Sequence, residues 1–159
     1  MPHARERLTI ASEPLSSSDA QVLIGRLNAE LTVRYPDPDD RHFELTEAQV
    51  GDGSGVFLVA RSGGEPVACG ALRRVDEVTG EVKRMYVLPG ARRGGVGRRL
   101  LAELERQARL MDIRRLVLET GERQSEAIRL YEVAGFARIP CFGEYEGSPM
   151  SVCMEKALD

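Results

Sequence analysis

Apolar positions along this chain follow two periods, and the places where the period changes divide it into elements. After a strand-like start at Leu8–Ala11, Ser18-Asp19 offers a helix cap, and Val22, Leu23, Leu27 and Leu31 recur at helical spacing until Tyr35-Pro36. A polar, proline-punctuated loop follows, Pro36-Asp37-Pro38-Asp39-Asp40, and a second short helical piece is expected at Thr46–Gln49. The period then shortens to two. Gly55–Arg61, Pro66–Val75 and Thr79–Val87 are β-patterned runs separated by Ser62-Gly63-Gly64 and Asp76-Glu77, which predicts an antiparallel meander.

Helical spacing returns at Val96. Leu100, Leu101, Leu104, Ala108 and Met111 form one apolar face, with Arg99, Glu103, Glu105 and Arg106 largely off it. The apolar run Arg115–Thr120 reads as a strand, so strand, loop, helix and strand make a right-handed crossover between parallel strands. A further helix starts near Ser125, buries Ala127, Ile128, Tyr131 and Ala134, and stops at Gly135. Phe136–Ile139 and Ser151–Lys156 complete the strands. The 159 residues suffice for one domain with a proper core, and one domain spanning residues 1–159 is expected.

Between the third run of the meander and the helix at Val96 lies Arg92-Arg93-Gly94-Gly95-Val96-Gly97. Its glycines let the backbone turn tightly and clear side chains from the amides. The first turn of the helix leaves N–H groups unpaired, and the helix dipole adds partial positive charge there. Arg92, Arg93, Arg98 and Arg99 bracket the loop with guanidinium groups suited to phosphate oxygens. An anion is the expected occupant. A nucleotide P-loop is set aside, because Arg98-Arg99-Leu100 stands where Gly-Lys-Ser/Thr would be required. A dinucleotide fingerprint is a closer competitor, but its third glycine falls on Leu100 and the preceding runs are antiparallel. A simpler reading of the helix arginines is a charged face making pairs such as Glu105–Arg109.

Net charge is −3 with 30% charged residues, so the surface is mixed and no nucleic-acid partner is indicated. No apolar run reaches membrane-spanning length and Met1–Arg7 lacks the apolar stretch of a signal peptide, so no membrane partner and a cytoplasmic location are expected. Cys69, Cys141 and Cys153 lie far apart, without metal-type pairing, and no metal site is expected. Cys69 and Cys153 read as buried small hydrophobes. His42, in its polar loop, reads as a surface residue.

The order of elements and two motifs resemble the GCN5-related N-acetyltransferase superfamily. Arg92-Arg93-Gly94-Gly95-Val96-Gly97 is similar to that family's acetyl-coenzyme A loop, Gln/Arg-x-x-Gly-x-Gly/Ala. Ala127-Ile128-Arg129-Leu130-Tyr131-Glu132-Val133-Ala134-Gly135-Phe136 is similar to its helix-to-strand segment. The fold this implies is α/β of the α+β kind: a mixed, mostly antiparallel central sheet of six to seven strands, with helices on both faces and splayed strands around the pantetheine. The resemblance also implies acetyl-CoA as co-substrate, pyrophosphate held by Arg92 through Gly97, and backbone groups of Met85, Tyr86 and Val87 facing the pantetheine and thioester. Gln124 stands where the family often has asparagine, and keeps an amide for coenzyme A. Tyr131 matches the tyrosine that protonates the departing thiolate, although on its apolar helix face it reads equally as a core residue.

Acetyl transfer to an amine needs a base, a polarised carbonyl and a protonated leaving group. An alkylamine with a pKa of roughly 10 is almost wholly charged at neutral pH. Glu81 and Glu119 are the carboxylates best placed to accept its proton, with Glu81 narrowly preferred. The Val87 N–H is a candidate to polarise the thioester carbonyl. Glu30, Arg34 and Tyr35, with Glu144 and Tyr145, are candidates to line the site for an acceptor, a small-molecule or peptide amine. Acidic residues there favour a cation, whereas Arg34 favours a carboxylate. The competing class is a non-catalytic acyl-CoA-binding regulatory module. A homodimer would cover the edges of the last strands.

Overall fold

The computed structural model describes residues 7–159. In chain order its elements are β1 (Leu8–Ser12), α1 (Ser18–Arg34), β2 (Gly55–Ser62), β3 (Glu65–Arg74), β4 (Thr79–Val87), α2 (Val96–Leu110), β5 (Arg115–Gly121), α3 (Ser125–Val133), β6 (Ala137–Ile139) and β7 (Ser151–Ala157). The seven strands form one sheet in the order β1-β2-β3-β4-β5-β7-β6. Among the described residues, only β4 and β5 pair in parallel. The other pairings are antiparallel.

Alternation along β2 and β3 produces the two layers. Phe57, Val59, Cys69 and Ala71 pack with Ala20, Leu23 and Leu27 of α1. Their neighbours Leu58, Ala60, Ala68 and Leu72 face the opposite way, onto Leu100, Leu101 and Leu104 of α2, in a cluster that also holds Ile128 and Tyr131 of α3. Each such leucine, removed from water, stabilises the fold by about 1.5–3 kcal/mol. The cap of α1 is Ser17, not Ser18: its side chain accepts the Ala20 N–H at 3.1 Å. The short helical piece expected at Thr46–Gln49 is a 3₁₀ turn at Ala48–Val50, joined by another at Pro38–Asp40. Glu105 pairs not with Arg109 but with Lys156 of β7, at 2.5 Å, which ties α2 to the sheet.

Two irregularities in β4 create the site. Its parallel pairing with β5 runs only from Thr79↔Arg115 to Val82↔Leu118. Beyond Val82, β4 continues to Val87, while β5 stays with β7 through Gly121. The strands therefore part, and β4 is left with unpaired backbone groups on the side of the gap. The second irregularity is a bulge: the β3–β4 register jumps from Ala71↔Lys83 to Cys69↔Tyr86, with Arg84 in the left-handed region at φ 57. Gly70 stands opposite, where an added Cβ would lie 2.6 Å from Met85 Sδ and push that side chain aside.

Candidate active site

The gap opens onto two connected spaces. An outer groove, with about 1670 Å³ of open space including its mouth, runs along Met85–Val87, the loop at Arg92–Gly97 and the face of α3. An inner cavity of about 740 Å³, counted the same way, lies beneath the end of α1, between the parting strands. Leu27, Met85, Gln124, Ala127 and Tyr131 line both. They mark the junction.

Along the groove the loop has the geometry of an anion cradle. Arg93 and Gly95 take positive φ values, 72 and 80, and α2 begins at Val96 without a side-chain cap. Its first intrahelical bond from this end is Arg99 N–H to Gly95 O, 3.1 Å, so the preceding amides stay available to a ligand. A Cβ at Gly97 would press on Leu130 at 3.3 Å, which explains the small residue where α2 meets α3. The arginines are divided in role. Arg92 turns back, donating to Val87 O at 2.9 Å and to both Glu30 oxygens at 2.8 and 3.1 Å. Arg93 and Arg98 line the groove without a carboxylate partner among the described residues.

The expected acceptor residues separate between the two spaces. Glu30 and Arg34 line the outer groove, joined to each other at 2.9 Å, and Arg34 also donates to the Gln124 side-chain oxygen. Tyr35 and Tyr145 line the inner cavity. Tyr35 is fixed: its hydroxyl accepts the Arg123 N–H at 2.8 Å, and its ring occupies the space where Gly121 lacks a side chain. Tyr145 donates to Glu81 Oε2 at 2.6 Å and stacks edge-on with His42 and Phe142. Glu144 stands 3.7 Å from the Lys83 ammonium.

The two candidate bases differ sharply. Glu81 is 1% exposed, and both oxygens are taken: Arg73 donates to Oε1 at 2.9 and 2.8 Å, and Tyr145 holds Oε2. Glu119 is less enclosed. It accepts one hydrogen bond, from Ser151 Oγ at 2.6 Å, and burial raises its pKa above the ordinary carboxylate value. Ser151 Oγ lies 3.0 Å from Ser148 Oγ, which is 3.4 Å from His42 Nε2. His42 is thus not the surface residue expected from its polar loop; it is half-buried in the cavity wall.

Tyr131, at the junction, is 5% exposed and packs edge-on against Phe136. Its hydroxyl has no hydrogen-bond partner among the described residues, yet it is not a sealed polar atom, so it opens to the cavity. Burial, then the nearby Glu119 charge, raise its pKa and keep the phenol protonated. Cys69 and Cys153 are buried, each thiol pushed up to about 12 by desolvation. None of the three cysteines lines either space. No group of three or more metal-ligating side chains occurs among the described residues.

A sheet opened between two parallel strands, with an amide cradle at one end and a protonated tyrosine at the other, is the architecture of an acyltransferase class, and comparison with known proteins identifies it. The chain belongs to the acetyltransferase (GNAT) family, whose model matches residues 23–136. It is 43% identical over 153 residues to an IAA acetyltransferase of Azospirillum brasilense, covering 95% of this chain and 98% of that protein. The solved structure of a candidate acyl-CoA N-acyltransferase from Klebsiella pneumoniae aligns with a TM-score of 0.81 at 35% identity, over 96% of this chain and 98% of that one. A GNAT family acetyltransferase from Elizabethkingia anophelis, solved with acetyl-CoA bound, has the same fold, with a TM-score of 0.67 at 20% identity over 95% and 98% of the two chains. The family uses acetyl-CoA.

Arg41, Lys83, Arg84 and Ser151 line or support the cavity without having been singled out in the sequence. Lys83-Arg84 did carry a signal: polar residues alternate at Thr79, Glu81 and Lys83 along the strand, and Arg84 directly after Lys83 breaks that alternation, as a bulge does.

Proposed function

We propose that residues 1–159 act as one domain transferring an acetyl group directly from acetyl-CoA to an amine, in a ternary complex. The observation that carries this reading is the junction, where donor groove and inner cavity share Tyr131. In this reading the loop amides of Gly95 through Gly97, with Arg93, hold the pyrophosphate. The free edge of β4 at Met85–Val87 pairs with the pantetheine, and the Val87 N–H faces the thioester oxygen. Arg92 and Glu30 brace the loop; Arg34 orients Gln124.

Glu119 is the base that fits the chemistry better than Glu81, whose oxygens Arg73 and Tyr145 already occupy. The ammonium loses one proton to Glu119, and its nitrogen lone pair attacks the thioester carbon. The carbonyl π electrons move to oxygen, then return as the C–S bond breaks. The departing sulfur takes a proton from Tyr131, which regains one from the nitrogen of the new amide. Of the two protons the nitrogen gives up, one ends on coenzyme A. The other leaves Glu119 by way of Ser151, Ser148 and His42.

A screen of amines and peptides, read by free-thiol release and by mass of the product, tests this. The expected result is one acetylated amine per thiol. Tight acetyl-CoA binding with no thiol release on any acceptor identifies a binding module instead.

A further inference from the structure

Arg84 stands apart from the other buried charges. The left-handed bulge at φ 57 turns it into the inner cavity, where it is 8% exposed. A guanidinium carries five N–H donors. Arg84 donates to the Asn28 side-chain oxygen, stands 5.0 Å over the Phe43 ring and makes no ion pair with any described carboxylate. Desolvation alone lowers its pKa to about 10, with only the Cys69 thiol acting against it. A buried cation without a counter-ion is costly. Neighbouring charges are otherwise matched: Glu144 faces Lys83, and Arg73 faces Glu81. Arg41, on the same cavity wall, also lacks a carboxylate and holds a buried Nε–H with no partner.

Arg84 does not line the outer groove, so coenzyme A is not its counter-ion. Glu119 and, at the junction, Tyr131 line the same cavity. One cavity thus holds an unpaired cation and a candidate base, which call for opposite charges on one ligand.

We propose that the acceptor is an amine that also carries a carboxylate, an amino-acid-like molecule whose carboxylate sits on Arg84 while its amine faces Glu119 and Tyr131. The inference rests on the transferase reading above. A planar guanidinium suits a carboxylate, and the bound anion supplies the missing counter-charge. The cavity admits a short acceptor.

The test compares α- and ω-amino acids with their primary amides and their decarboxylated amines. Turnover is read by thiol release, and binding by calorimetry on the protein saturated with coenzyme A. The expected result is a kcat/KM at least about tenfold higher for the carboxylate member of a matched pair. In R84Q that ratio falls towards one, with the loss carried by KM. Amides or decarboxylated amines acetylated as well as the acids, or a ratio unchanged in a folded R84Q, overturn the proposal. Amino acids that bind through Arg84 without turnover uphold the carboxylate site but overturn their assignment as acceptors; the transferase reading itself falls only if no amine of any kind releases thiol. Amino acids that neither bind nor react refute the carboxylate site whatever other amines do.

Discussion

At the residue scale, the two candidate bases differ in how they are held. Glu81 organises the site by joining Arg73 to Tyr145, and Glu119 keeps a high pKa because it is desolvated with a single hydrogen bond. A base must be ionised, so kcat/KM should fall as pH drops, with the midpoint of that limb above the ordinary carboxylate range. Glu119→Gln should lower turnover about 10²–10⁴-fold and abolish this limb, while acetyl-CoA affinity by calorimetry stays near wild type. The same raised pKa means that the folded protein holds a proton the unfolded chain has released. Its contribution to stability is therefore full below the unfolded value and lost as pH rises through the folded one. Tyr131→Phe should lower turnover far more than acetyl-CoA affinity; unchanged turnover in a steady-state assay would remove its role as acid.

At the element scale, two glycines carry predictions of opposite kind. Gly95 has φ 80 and no neighbour where a Cβ would point. Gly95→Asp should cost the fold only about 1 kcal/mol, yet place a carboxylate at the amide cradle and abolish coenzyme A binding in a calorimetric titration. Retained affinity would refute the loop assignment. Gly121 is filled from the opposite side, since a Cβ there would meet Tyr35 Oη at 1.9 Å. Gly121→Ala should destabilise the protein by roughly 1–3 kcal/mol, read as a lower Tm, by expelling Tyr35 from the cavity wall; an unchanged Tm would contradict that packing. The strands, the β4–β5 crossover and all three helices were legible in the sequence, because apolar period and glycine placement are local signals. Which residues meet in the cavity was not: Tyr145 reaches Glu81 across 64 positions and Ser151 reaches Glu119 across 32. The loop between α1 and β2 has no period to read, so the placing of Arg41 and His42 emerged only once it folded over the parted strands.

At the scale of the whole molecule, the order of the sheet explains why the two spaces adjoin. Helices cover both faces, and the outer groove and inner cavity meet where β4 leaves β5 after Val82. The two spaces share Leu27, Met85, Gln124, Ala127 and Tyr131, and on the proposed reading a thioester in the outer groove and an amine in the inner cavity would meet there. None of the three cysteines lines the groove or the cavity. Direct transfer is the central claim, and initial rates measured over a grid of acetyl-CoA and acceptor concentrations test it most directly. Double-reciprocal lines that intersect are predicted, the pattern of a ternary complex; parallel lines, the pattern of an acetyl-enzyme released from coenzyme A before the amine binds, would contradict it.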